Sequence, residues 1–293
     1  KSERDPVGLA LDRLGFGFFR GLNALLAGLF ITAIALGVAR LVFLACLALV
    51  HKATERTPED LDTAAGPLVS VLIPCFNEGP RLQETLQAAL ALHWSDWEVI
   101  AINDGSSDDT GRQLETWAAS DPRLRVVHLA ENQGKALALR AGALLARHEL
   151  LVCIDGDALL DPHAVGWMVR HLQRNPRLAA VTGNPRIRNR TTLLGRLQVG
   201  EFSMIIGLIK RAQTVYGTLF TVSGVVCAFR KRALHEAGWW DPRTLTDDVD
   251  VSWRLQIAGW RIAFEPKARA WIPKPVSRSW TNASSSTVRW ASI

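Results

Sequence analysis

The sequence predicts an α/β protein, a mainly parallel sheet covered by helices on both faces, carried behind a single N-terminal membrane helix. Three observations predict it. Short apolar runs alternate with helix-period stretches between Leu68 and Ile154, which is how strands buried on both faces read. Acids stand directly after successive apolar runs, Asp104 after one and Asp155 and Asp157 after another, where a parallel sheet opens its ligand crevice. Residues 21–50 are almost unbroken apolar sequence, about 45 Å of helix against a hydrocarbon slab of ~30 Å.

Residues 1–20 form a juxtamembrane segment and 21–50 the membrane helix, interrupted only by Asn23, Thr32 and Arg40. One tilted helix over about Leu25–Leu49, with Arg40 snorkelling or facing protein, accounts for the excess length. A buried core helix is the alternative, but such helices seldom run this long. A signal peptide would be shorter and end at a small-residue cleavage site. Lys1, Arg4, Arg13 and Arg20 precede the span, whereas only Lys52 and Arg56 follow closely. Counted alone, that bias puts the amino terminus inside and the large domain outside.

Residues 51–67 are a polar, Pro- and Gly-containing linker. A catalytic domain is expected over 68–273. Its strands are Leu68–Pro74, Trp97–Asn103, Leu124–Leu129 and Leu150–Ile154, since each is a short apolar run. Helices are expected at Arg81–Leu92, where leucines recur at 82, 86 and 90, near Asp109–Ala119, and over the Ala/Leu-rich Lys135–Arg147. A further helix runs from Asp247 to Gly259, with Asp247, Asp248 and Asp250 favouring the dipole in its first turn. Leu193–Lys210 is a helical stretch with a broad apolar face.

Composition narrows the function. Of 293 residues, 48% are hydrophobic and 21% charged, enough for a sizeable core and too little charge for wholesale disorder. The net charge of +6 suits an anionic partner. No zinc-finger spacing or aromatic-interleaved basic stripe occurs, so nucleic acid is disfavoured. Cys46, Cys75, Cys153 and Cys227 lie far apart in apolar runs and read as four buried thiols, not a disulfide scaffold. P-loop, His-Glu-x-x-His and Gly-x-Ser-x-Gly motifs are absent. Gly15-Phe16-Gly17 is half a dinucleotide fingerprint, but no strand precedes it.

Helix capping explains any one acid after a strand, including Asp104 with Ser106 and Ser107, and Asp161. It does not explain several acids meeting at a sheet crevice, which is costly without a cation or donors to share it. The ordered set PCFNE (74–78), NDGSSDDT (103–110), NQGKA (132–136), CIDGDA (153–158), VSG (222–224) and TDDVDVSWRL (246–255) resembles the family 2 inverting glycosyltransferases. Within them, 181–211 and 220–234 are most similar to the bacterial membrane synthases of poly-β-1,6-N-acetylglucosamine. The resemblance covers about Leu68–Ile272 and the preceding span.

That resemblance implies a nucleotide-diphospho-sugar transferase fold of the GT-A type. It also implies UDP-N-acetylglucosamine as donor, a polysaccharide acceptor, a lipid bilayer and a small membrane accessory subunit as partners, and Mg²⁺ or Mn²⁺ as cofactor. Asp157 would touch the metal, while Asp155 would stand by ribose and metal. Asp104 would meet uracil, with Phe76, Asn77 and Glu78 lining the nucleoside pocket and Lys135 meeting phosphate or uridine. Carboxylate oxygens suit such hard cations, which stabilise charge on a departing diphosphate. Thr246-Asp247-Asp248 stands where the family has Thr-Glu-Asp, and Asp248 would be the general base. Ser223, Gly224 and Trp260 would shape the acceptor pocket.

Arg186, Arg188 and Arg190 alternate and so share one side of an extended segment, to meet phosphate, glycan or solvent. Tryptophans 94, 97, 117, 167, 239, 240 and 253 read as core or interface residues. Processive members carry Gln-x-x-Arg-Trp after the strand matching Ala268–Ile272. Here Arg289-Trp290 are present with Ser286 at the Gln position, and 274–293 hold six serines against nine in the preceding 273 residues. An aberrant tail, from a shifted frame or truncated gene model, is the expectation. The function expected is inverting transfer of N-acetylglucosamine to a growing biofilm exopolysaccharide at the cytoplasmic face of a bacterial inner membrane, because the cytosol is where UDP-sugars are made, and that chemistry outweighs the charge count around the span. A non-processive transferase to a lipid or short acceptor and a silent UDP-binding remnant are the alternatives.

Overall fold

The computed structural model describes residues 6–54, 66–188, 204–217, 219–244 and 246–272. Most of the expected linker, Arg190, positions 193–203 of the apolar-faced stretch and the whole of 274–293 lie outside the described residues.

Helix α1 (Pro6–Thr54) runs unbroken through the juxtamembrane and apolar segments. Over Leu14–Thr54 it is long and apolar enough to cross a membrane, and Leu25, Phe30, Ile34 and Leu41 are exposed along it. Exposed apolar side chains in a continuous helix are at odds with a core helix and fit a lipid-facing one. Only the last turns, around Ala48, are buried, against a π-helical turn (Met204–Ile209) and the short helix α6 (Lys210–Tyr216). Arg211 Nη1 lies 3.2 Å from His51 Nδ1 across that seam.

One eight-stranded sheet has the order β3-β2-β1-β4-β7-β6-β8-β5. Its first half is parallel: β1 (Val69–Cys75) pairs with β2 (Trp97–Asp104) and β4 (Leu150–Ile154), and β2 pairs with β3 (Leu124–Leu129). Every residue of β1 and β4 is buried, as expected where helices cover both faces. Those helices are α2 (Gly79–Leu90), α3 (Thr110–Ser120) and α4 (Lys135–Leu145), each following a strand as the alternating pattern predicts.

The second half is mixed. Strand β7 (Val226–Arg230) runs antiparallel to both β4 and β6 (Leu178–Ile187), while β8 (Arg261–Ile272) lies parallel to β6 and antiparallel to the two-residue β5 (Leu159–Leu160). Helices α5 (Ala164–Arg174), α7 (Lys231–Glu236) and α8 (Asp247–Ile257) complete this half. Strand order reverses between β1 and β4, so the crevice lies at their carboxyl ends.

One expectation is corrected. Cys75, Cys153 and Cys227 are buried, but Cys46 is exposed on α1, because an apolar neighbourhood on a lone helix presents thiols outward rather than into a core. Trp94, Trp239 and Trp240 are buried, and Trp97, Trp117 and Trp167 pack against the core, whereas Trp253 is 59% exposed on α8.

Candidate active site

The crevice is built from the ends of strands and the loops beyond them. At the end of β1, Phe76 is half-buried and Glu78 buried. Asn77 adopts a left-handed φ of 54°, which asparagine tolerates better than most residues. Its side-chain oxygen accepts from Ser107 N at 2.9 Å and Asp108 N at 3.3 Å. Asn77 therefore clamps the β2–α3 loop, a task that engages the group expected to line the nucleoside pocket. Asp108 accepts from Thr110 N, at the first residue of α3, at 3.0 Å, while Asp104 bonds elsewhere.

Asp104, at the end of β2, is fully buried. Its two oxygens accept from Gln133 N at 2.9 Å and Gly134 N at 3.0 Å. Burial raises its pKa above the ordinary carboxylate value, against the opposing effect of those two amides. The pairing fixes the turn at Gly134, whose φ of 90° suits glycine, and so delivers Lys135 to the start of α4.

Lys135 is the hub. Its ammonium donates to Asp155 Oδ1 and to the Gly224 carbonyl oxygen, the latter at 2.9 Å. Burial disfavours the charge, yet Asp155, Asp247 and Asp248 together hold the Lys135 pKa above its ordinary value. One cation thus joins the acid after β4 to the loop before β7 and to the head of α8. Asp247 is pushed up by burial and by Asp248, with Lys135 opposing. Asp247 and Asp248 also serve the helix start, accepting from Asp248 N and Val249 N at 3.1 Å each. Asp250 turns away to Arg254, 2.8 Å from its Nε.

Asp157 is buried, with Arg81 Nη1 at 3.6 Å from its Oδ2. Between the two acids, Gly156 packs so closely that a Cβ would sit 2.7 Å from the Pro74 carbonyl oxygen. Among the described residues no group of three or more His, Cys, Asp or Glu side chains is gathered for a metal. Two carboxylates at the end of one strand still fit a Mg²⁺ or Mn²⁺ site, since such ions are commonly held by one or two protein carboxylates plus substrate phosphates.

The loop Thr221–Gly224 is tied at every residue. Lys210 Nζ donates to Thr221 O at 3.0 Å, Val222 N to Ser252 Oγ at 2.9 Å, Ser223 N to Thr182 Oγ1 at 2.8 Å, and Lys135 holds Gly224. Ser252 in turn donates to the Asp248 carbonyl at 2.5 Å. Ser223, Gly224, Lys135, Asp247 and Asp248 line one cavity of ≈ 10 Å³, room for about one water.

Trp260 does not join this cavity. It follows the far end of α8, where its Nε1 donates to Glu236 Oε2 at 2.8 Å and Arg232 lies over its ring. Arg188 pairs with Glu84 at 2.7 Å on the surface, and the Ser286 and Arg289-Trp290 comparison lies outside the described residues. Sequence reasoning missed Lys210, Thr182 and Ser252, whose roles come from contacts across the fold.

Residues 70–238 match the family described as glycosyl transferase family 2. The chain is 40% identical over 225 residues to poly-beta-1,6-N-acetyl-D-glucosamine synthases of Staphylococcus epidermidis and Staphylococcus aureus, covering 76% of this chain and 53% of each relative. It therefore spans about half the length of the curated relatives it matches. A mannosyltransferase from Pyrobaculum calidifontis, solved with GDP-Man and Mn²⁺, shares the fold at a TM-score of 0.65 and 23% identity, covering 84% of this chain and 69% of that one.

Proposed function

The chain belongs to glycosyl transferase family 2, and from that premise we propose that it transfers N-acetylglucosamine from UDP-N-acetylglucosamine, with inversion, onto a growing poly-β-1,6-N-acetylglucosamine chain. The observation that carries the reading is the Lys135 hub, which brings Asp155, Gly224 and the α8 acids into one site. Sugar and linkage rest on the similarity to the staphylococcal synthases.

In this reading Asp104 and the residues after β1 face the nucleoside, Phe76 and Glu78 as lining and Asn77 as the clamp behind them. Asp155 and Asp157 would hold the divalent ion. That ion, when bound, supplies positive charge against the diphosphate as the glycosidic bond breaks. Lys135 adds a second cation near the same group. Asp248 takes the proton from the attacking acceptor hydroxyl, on the side of the sugar opposite the diphosphate. Thr246 and Asp247 shape the helix start that presents it. Ser223 and Gly224 offer the acceptor a loop held rigid by its four bonds. The products are the lengthened glycan, UDP and one proton.

The helix α1 anchors the domain to a bilayer, at the cytoplasmic face of the inner membrane, because nucleotide sugars are made in the cytosol. The test is UDP release from UDP-N-acetylglucosamine in detergent or lipid with Mg²⁺ or Mn²⁺, beside Asp248→Asn. Release that falls by about 10²- to 10⁴-fold in the variant supports the base. No release from the unaltered chain while UDP still binds would replace this reading with a UDP-binding protein lacking turnover.

A further inference from the structure

Lys210 opens α6 and is 8% exposed. Its ammonium donates to the Thr221 carbonyl oxygen at 3.0 Å, and among the described residues no carboxylate lies within ion-pair distance. The charged and titratable groups that act on it are Cys227 on β7 and Asp248 on α8; its neighbour Arg211 bonds His51 on α1, and Arg261 at the head of β8 lies beside Gly217, past the end of α6. Burial pulls the Lys210 pKa down to about 8, against the opposing effect of Cys227 and Asp248. Burying an amine without a counter-ion is costly, and a methionine would fill similar space without that penalty. A merely packed helix has no use for it.

We propose that Lys210 is a positioning residue for the acceptor side of the reaction, gripping Thr221 so that the Thr221–Gly224 loop is held against Asp248. The proposal rests on the transferase reading above. Of the four bonds that fix this loop, this one alone comes from the helix on which α1 is seated. Val222 is held from α8, Ser223 from β6 and Gly224 from α4. Lys210 therefore ties the acceptor loop to the membrane helix, while the donor-side acids are fixed without it.

Hydrogen exchange of residues 219–225 tests this in the detergent-solubilised protein, whether or not transfer is observed. Lys210→Met should speed their exchange by about tenfold, the loss of one hydrogen bond to a charged group, while β2 at 97–104 is unchanged. Lys210→Arg should restore protection. In the unaltered protein, exchange corrected for intrinsic rate should rise as pH passes about 8, a measurement that needs no variant to fold. With a β-1,6-linked N-acetylglucosamine oligomer as acceptor, Lys210→Met should raise acceptor KM about tenfold and leave the UDP Kd unchanged. Unaltered exchange at 219–225 in Lys210→Met, or a UDP Kd that weakens in step with acceptor KM, overturns the proposal. Absence of transfer in the unaltered protein counts against the transferase reading, and the exchange data still decide the role of Lys210.

Discussion

Lys135 Nζ lies 2.9 Å from the carbonyl oxygen of Gly224 while also holding Asp155. One side chain therefore joins the acid that follows β4 to the loop that precedes β7. Lys135, Gly224, Asp247 and Asp248 line one small cavity.

Replacing Lys135 by Met leaves Asp155, Asp247 and Asp248 facing one another without their shared cation. Breaking a buried ion pair from one side costs about 3–5 kcal/mol, and about 2–4 °C of melting temperature accompanies each kcal/mol in a domain of this size. Lys135→Met should lower the thermal midpoint by roughly 10 °C and weaken UDP binding, read by melting and calorimetry on one preparation. An unchanged midpoint would remove the hub from this account.

Asp247 gives a pH-dependent test of the same cluster. Its folded-state pKa is raised, chiefly by burial and then by Asp248, so the folded protein favours the protonated form. The ionised form is therefore a burden at neutral pH, absent below the unfolded value near 3.8 and growing as pH rises through the folded value. Asp247→Asn should melt higher than the unaltered protein at pH 7.5, with the gain shrinking as pH falls toward 4. A gain that is equal at both pH values would point to packing instead.

The parallel half of the fold is legible in the sequence because apolar runs such as 69–75 and 150–154 must be buried on both faces, and helices must then separate them. Strand direction beyond β4 is not legible, since 226–230 would read the same whether it ran parallel or antiparallel. Acids at strand ends, Asp104, Asp155 and Asp157, are legible from position alone. What those acids touch is not: Asp104 holds the backbone of Gln133 and Gly134, and Asn77 holds the next loop. The Trp260 contacts, to Glu236 and Arg232, are likewise beyond reading from position. Lys210, Thr182 and Ser252 matter through bonds to Thr221, Ser223 and Val222 that span 11, 41 and 30 positions, beyond any local pattern.

Glu98 anchors the opposite end of the sheet. It is buried on β2 and accepts from Ser70 Oγ at 2.7 Å, Arg125 Nη1 at 2.8 Å and Arg147 N at 2.8 Å. Burial alone would raise its pKa, but these donors outweigh it and hold the value below the ordinary one. Its stabilising contribution is therefore present above the unfolded value near 4.5 and lost as pH falls through the lower folded value. Glu98→Gln should cost about 2–3 kcal/mol at pH 7, with the deficit fading under acid, and UDP affinity should stay the same.

Gly156 joins stability to function. A Cβ there would stand 2.7 Å from the Pro74 carbonyl oxygen and 3.2 Å from Glu78 Cγ, and the nearer atom is backbone that cannot rotate aside. The Gly156 carbonyl also accepts from Thr85 Oγ1 at 2.9 Å, which ties this turn to α2 and limits its escape. Gly156→Ala must therefore push the β4 end away from β1, carrying Asp155 and Asp157 with it. Overpacking of this kind costs about 1–3 kcal/mol, and displacing a positioned group by about 1 Å can cost on the order of 10²-fold in rate. The expected outcome is a folded protein with a modestly lower melting temperature and a UDP release rate reduced by about 10²-fold. Thr85→Val serves as the comparison, since it loosens the same turn without a clash and should cost far less activity. Equal losses in the two variants would mean that the turn's hydrogen bond, and not its closeness to Pro74, sets the carboxylates.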